Sequence, residues 1–202
     1  MKGANSMKHL MSVMFIVFLA LVLSACGGND NDKKANENDK KETTDPVENA
    51  TDEEDVLVSL NNTAGNVVAT ATLTEDDAGV HIKLVGKDLP EGTHAFHIHE
   101  KGACETPDFK SAGGHYNPTD DNHGKDDPEG PHAGDFDNIE VGKDGTVDIE
   151  LTTDKVTLEK GQENTLYTDD GTSLVIHAEA DDYKSQPSGD AGDRIACGVI
   201  GK

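Results

Sequence analysis

An antiparallel all-β sandwich or barrel is the fold class the sequence predicts for residues 54–202, and three observations predict it. Val80, Ile82 and Leu84 alternate with His81 and Lys83, the period of two that marks a half-buried strand. The apolar runs are short and are cut by turns rich in Gly and Asp. No segment has the pattern of a long amphipathic helix.

Taken in order, the first strand begins at Val56-Leu57-Val58-Ser59-Leu60. A second lies in the Val-, Ala- and Thr-rich segment 66–74, since β-branched side chains fit a pleated surface. Asp76-Asp77-Ala78-Gly79 reads as a turn, and Val80–Leu84 follows it as the third strand. Further strands are expected at 94–100, 146–151, 173–178 and 195–200. Between Lys101 and about Asp137 the apolar periodicity stops and Gly, Pro, Asp, Asn and His take over. Loops longer than about 12–15 residues are uncommon in compact domains unless they are functional. Something must order this one, or it is disordered, and its histidines suggest what would order it.

The N-terminal quarter follows different rules. Lys2 and Lys8 precede an apolar run from Leu10 to Leu23, and Leu23-Ser24-Ala25-Cys26 closes it with small residues before a cysteine. Basic, apolar, then small is an export signal, and the ending reads as a lipobox that places a lipid on Cys26. Met7-Lys8-His9 restarts the same pattern and offers a second start. The competing reading, a spanning helix, needs about 20 apolar residues, more than the run supplies. Residues 1–25 are therefore expected to be a signal peptide. Residues 26–53 are expected to be a lipidated cysteine with a polar tether, too poor in apolar groups to pack. The chain would then sit on the outer face of a cell membrane.

The formal net charge is −23. Processing at Cys26 would remove two lysines and no acid, which takes it to −25. Such a surface lacks the basic footprint of a nucleic-acid binder. Beyond Cys26 the chain has only Cys104 and Cys197, an even pair able to form a disulfide in an exported protein. A homodimer is left open.

Seven of the nine histidines lie between His94 and His177. His97 and His99 share one face of a strand, so two imidazoles can meet one ion. The long loop adds His115, His123, His132 and Asp135, three imidazoles and a carboxylate, which is a four-coordinate set suited to zinc. Gly113, Gly114 and Gly134 allow the loop to turn around an ion. His177 ends an apolar strand and supplies one more imidazole to the His97/His99 pair; nitrogen-only ligation suits copper(II). A copper(I) buffer would favour Met- and Cys-rich sites. The only methionines are Met1, Met7, Met11 and Met14.

Gly92-Thr93-His94-Ala95-Phe96-His97-Ile98-His99-Glu100 resembles the copper-strand signature of Cu,Zn superoxide dismutases. Gly113–Pro118, His123-Gly124 and His132-Ala133-Gly134-Asp135 resemble the family's bridging and zinc segments, and Gly192–Ile200 its C-terminal signature. The resemblance looks closest to bacterial lipoprotein members. It implies an eight-stranded Greek-key sandwich or barrel with a long metal-binding loop and a second active-site loop. It also implies an oxidoreductase that converts superoxide to oxygen and hydrogen peroxide. By this resemblance His97, His99, His115 and His177 bind copper, and His115, His123, His132 and Asp135 bind zinc. His115 would be shared as an imidazolate bridge, with a catalytic role. His94 and Asp181 would brace the ligands, and Cys104 and Cys197 would form the disulfide. Arg194, the only arginine in the chain, would guide the anion. Lys184, in the divergent segment 183–191, is a weaker candidate for the same task. His81 is read as a surface histidine.

Overall fold

A computed structural model describes residues 55–201. The expected signal peptide, the Cys26 lipidation site and the expected tether through residue 53 lie outside the described residues. Nine strand segments follow in order: β1 (Val56–Asn62), β2 (Val67–Asp76), β3 (Gly79–Gly86), β4 (Gly92–His94), β5 (Phe96–His99), β6 (Ile139–Val141), β7 (Val147–Thr153), β8 (Thr172–His177) and β9 (Arg194–Gly201). Among the described residues no helix is long and apolar enough to cross a membrane.

Seven strands form one antiparallel sheet in the order β5-β8-β9-β1-β2-β3-β7, and β4 pairs with β6. β4 and β5 are one strand broken at Ala95, whose N–H leaves the ladder and donates to Glu179 O. Counted that way, the segments are the eight strands expected. Because its two halves pair with different partners, this strand carries the curling sheet from one edge to the other. The neighbours β3·β7 and β9·β1 lie far apart in sequence and require the long crossovers of a Greek key.

Alternation builds the core. Leu60, Leu73, Ile82, Leu84, Phe96, Ile98, Leu174 and Ile176 are fully buried on the inner face. In the turn after β2, Asp76 Oδ1 accepts the Ala78 N–H at 2.8 Å, and Asp76 pairs with Gly79. The connection is thus a two-residue hairpin, as the Asp-rich turn predicts. His81 faces outward and bonds Thr152 and Asp76, each at 2.8 Å. β6 is an addition to the expected set, since three residues are too few to show a period. Within 101–137 the regular structure is a single 3₁₀ turn, Lys110–Ala112.

Candidate metal centre

β5 is the axis of the site. Phe96 and Ile98 point into the core, while His97 and His99 point the other way, yet all four are buried. The long loop buries the histidines by completing the sheet. Ile98 N–H donates to Gly134 O (2.9 Å), Ile98 O accepts from Tyr116 N–H (2.8 Å), and Gly134 N–H donates to Tyr116 O (2.9 Å). Isolated bridges then set His97 beside Asp135 and His99 beside His115. A Cβ at Gly134 would strike Ile98 O, so only glycine lets the loop approach this closely. On the other edge β8 pairs with β5, and His177 N–H donates to Ala95 O at 2.9 Å. A loop without apolar periodicity is thereby ordered by backbone hydrogen bonds to the strand that carries two of the histidines.

Two ligand sets result. His97, His99, His115 and His177 form one, and His115, His123, His132 and Asp135 the other; in each, the candidate ligand atoms lie within 4.8 Å of one another. Hydrogen bonds decide which nitrogen each ring offers. His97 Nε2 lies 2.9 Å from Asp181 Oδ2, which leaves Nδ1. His99 Nδ1 lies 3.1 Å from Gly113 O, which leaves Nε2, 3.3 Å from His177 Nε2. His115 turns Nδ1 to Asp135 Oδ1 (2.8 Å), which leaves Nε2, without a hydrogen-bond partner, for the all-histidine set. His123 Nδ1 lies 3.0 Å from Asp135 Oδ2 but off the line of a hydrogen bond, and His132 Nδ1 lies 3.2 Å from Asp135 Oδ1.

Three buried ring nitrogens, His97 Nδ1, His115 Nε2 and His123 Nδ1, have no hydrogen-bond partner. A buried unsatisfied polar atom costs about 1–3 kcal/mol. All three belong to the ligand sets, so a cation in each set would remove the cost, and the donors present fit metal ions. Four nitrogens suit copper; three nitrogens and a carboxylate suit zinc.

Electrostatics separates the two sets. Burial, reinforced by neighbouring imidazoles, pushes His115 down to about 4 and His177 down to about 3, and holds His99 well below its ordinary value. Those rings are neutral and ready to ligate. Burial also opposes the charged form of His123, but Asp135 and Asp181 outweigh it and raise this group to about 9. Burial likewise opposes ionisation of Asp135 and Asp181, but the hydrogen bonds from the histidines around them hold both far below the usual carboxylate range.

The expected bracing residues sit around these sets. Asp181 accepts from His97 Nε2 through Oδ2 and from His123 Nε2 (3.0 Å) through Oδ1, so one carboxylate ties a ring of each set to the other. His94 lies between His177 O (2.8 Å) and Pro90 O (2.9 Å). Cys104 and Cys197 are joined in a disulfide. They pack with Phe109, Ala112 and Val175 in a small second core beneath the loop. Arg194 donates to Phe109 O (2.7 Å) and Gly113 O (2.6 Å) and lines a cleft shared with His99, His115 and His177. Lys184 is exposed and does not line that cleft.

Several supporting residues had no readable signal. Asn138 holds Asp181 at both backbone atoms, accepting its N–H at 2.8 Å and donating to its O at 2.9 Å. Glu100 Oε1 accepts the Gly114 N–H (3.1 Å), next to His115. Gly189 has φ 74°, and a Cβ there would strike Asp181 Oδ1 and His123 Nε2. The Gly in the segment 183–191 was a usable hint; the Asn138–Asp181 pair, far apart in sequence, was not.

Comparison with known proteins gives a consistent result. The sequence model of the family described as copper/zinc superoxide dismutase (SODC) matches residues 64–200. The chain is 54% identical to a Cu-Zn superoxide dismutase of Aquifex aeolicus over 140 residues, 69% of this chain and 82% of that protein. It is 45% identical to the Cu-Zn superoxide dismutase of Caulobacter vibrioides over 138 residues, 67% of this chain and 79% of that one. Among solved structures it is similar to a SOD-like protein from Bacillus subtilis (TM-score 0.70, 42% identity, 72% of this chain and 97% of that one). It is also similar to the Cu/Zn superoxide dismutase from Brucella abortus (TM-score 0.59, 31% identity, 73% and 99%).

Proposed function

The chain belongs to the copper/zinc superoxide dismutase family, and from that premise we propose how its residues divide the work of converting superoxide to oxygen and hydrogen peroxide. The observation that carries the reading is His115, which offers Nε2 to an all-histidine set and Nδ1 to a set with a carboxylate. His97, His99, His115 and His177 would hold copper, which when bound supplies the one-electron redox change the reaction needs. His115, His123, His132 and Asp135 would hold zinc, which has no redox chemistry and serves structure and charge. Holding both ions through the one imidazole of His115 would require both its nitrogens to be free of protons, which two cations would enforce. In turnover His115 Nε2 is the atom on which a proton rests before it is passed to the product.

The remaining residues orient and support. Arg194, fixed to two carbonyls beside His99, presents a guanidinium to an anion in the cleft. His94 and Asp181 hold rings in place, as partners of metal-ligating histidines do. The Cys104–Cys197 bridge spans 93 residues. On the chain-entropy estimate such a bridge contributes about 4–5 kcal/mol by constraining the unfolded chain.

Export and anchoring complete the proposal: a signal peptide over 1–25, a lipid on Cys26 and a tether that holds the domain clear of a membrane. The basic, apolar and small-residue order before Cys26 supports it. Mass spectrometry of membrane-extracted protein would find a lipid-modified N-terminal Cys26; an unmodified residue there would end that part of the proposal. For the reaction, purified protein loaded with copper and zinc is expected to remove superoxide. A metal-replete protein that does not would sink the enzymatic reading.

A further inference from the structure

His123 has four polar groups, two on the ring and two on the main chain. Ring Nδ1 lies 3.0 Å from Asp135 Oδ2, faces the mixed ligand set and has no hydrogen-bond partner. The other three are held from the segment 181–186. Nε2 donates to Asp181 Oδ1 at 3.0 Å. The His123 N–H donates to Gln186 Oε1 at 2.9 Å, and Gln186 Nε2 donates to His123 O at 2.9 Å. Among the described residues neither main-chain group of His123 bonds another backbone group. Gln186 supplies what a neighbouring strand supplies in a ladder, from 63 residues away in sequence. A side-chain amide carries the acceptor and the donor, at the spacing of a peptide group, that this pairing requires.

The amide is not needed to close its own turn. Gln186 Nε2 also lies 3.3 Å from Lys184 O and 3.4 Å from Asp127 Oδ2, both farther than His123 O. The turn closes through other groups. Asp182 Oδ1 accepts the Lys184 N–H (3.0 Å) and the Ser185 N–H (2.8 Å). Asp182 N–H donates to Gly189 O (3.0 Å), and Gly189 N–H to Ser185 O (2.7 Å). Gln186 is exposed, so its side chain fills no part of the core. Asp181 fixes only the far nitrogen of the His123 ring. With the main chain free, the ring would pivot about that bond and carry Nδ1 out of the ligand set.

We infer that Gln186 is a positioning residue for zinc: it holds the main chain of His123 at both polar groups and so keeps Nδ1 aimed into the set with His115, His132 and Asp135. The inference rests on zinc being the occupant of that set. It gives the segment 183–191 a task at the zinc ligands.

The test is Gln186→Met, which keeps the length of the side chain and removes both bonds to His123. Zinc affinity is measured on the full chain by competition with a chelator. About a tenfold loss is expected, the lower end for groups that orient ligating histidines. Copper affinity of the zinc-free protein and the unfolding midpoint of the metal-free protein should match those of the unchanged chain. A lower midpoint with both metals weakened together would mark a merely structural role and overturn the inference.

Hydrogen exchange reads the contact without any metal. The His123 amide of the metal-free chain should exchange at least tenfold faster in Gln186→Met, and equal protection overturns the positioning role. His123→Ala separates this inference from the reading beneath it. Zinc affinity that falls in His123→Ala but not in Gln186→Met overturns Gln186 alone. Zinc affinity untouched by His123→Ala overturns the zinc assignment, and the role of Gln186 with it.

Discussion

The two ligand sets that meet at His115 are built on opposite principles. The all-histidine set contains no carboxylate and opens to the cleft, and burial disfavours the charged forms of His99, His115 and His177. The mixed set converges three Nδ1 atoms on the Asp135 carboxylate. Asp135 also accepts the Gly124 N–H (2.9 Å) and the His132 N–H (3.1 Å) through Oδ2. The difference teaches that one set relies on buried neutral imidazoles while the other is an organising centre for a loop with no apolar core. Asp181 and His115 are the two residues that make them one unit.

The contrast can be broken from either side. His177→Ala removes an imidazole from the open set alone, and superoxide removal is expected to fall at least a hundredfold, about 3 kcal/mol in barrier. Zinc stoichiometry should stay near one per chain by elemental analysis; loss of both metals together would erase the distinction. Arg194→Ala touches no ligand, so copper and zinc content should be unchanged while kcat/KM falls more than tenfold in a stopped-flow assay. Asp181→Asn keeps shape but weakens the tie between the sets. About a tenfold drop in zinc affinity is expected by competition with a chelator, the lower end for partners of ligating histidines.

The smallest effect is a proton count. His123, raised to about 9, is protonated at neutral pH in the metal-free protein, whereas His115 and His177, pushed down to about 4 and about 3, are not. Nδ1 of His123 can ligate only after the ring loses a proton. Zinc binding at pH 7 should therefore release about one proton from His123, and affinity should climb with pH and level off above about 9. Calorimetry in buffers of different ionisation enthalpy reads that number. No proton release from His123, shown by an unchanged count in His123→Ala, would contradict the assignment.

Much of this was legible in the sequence, for reasons that differ by region. The β1–β3 meander announces itself through period-two burial and an Asp-Gly turn, because half-buried strands must alternate. β6 does not, since three residues carry no period. The donor types in 97–135 are conspicuous because histidines at those spacings have no packing role in so polar a stretch. How the loop closes on β5 was not legible. Closure depends on backbone bonds from Ile98 to Gly134 and Tyr116, and backbone groups leave no trace in side-chain identity. The same holds for Arg194, whose two acceptors are carbonyls of Phe109 and Gly113. Asn138 was invisible for another reason: it acts on Asp181 across the fold, and its type is not informative by itself.

The central claim is that one histidine serves both sets, and copper itself can report it. Zinc is titrated into copper-loaded protein while the copper(II) electron paramagnetic resonance spectrum is followed. A change in that spectrum complete at one equivalent of zinc is expected, and it should be absent in His115→Ala. A copper spectrum that stays the same while zinc fills the neighbouring set would show that His115 does not join them.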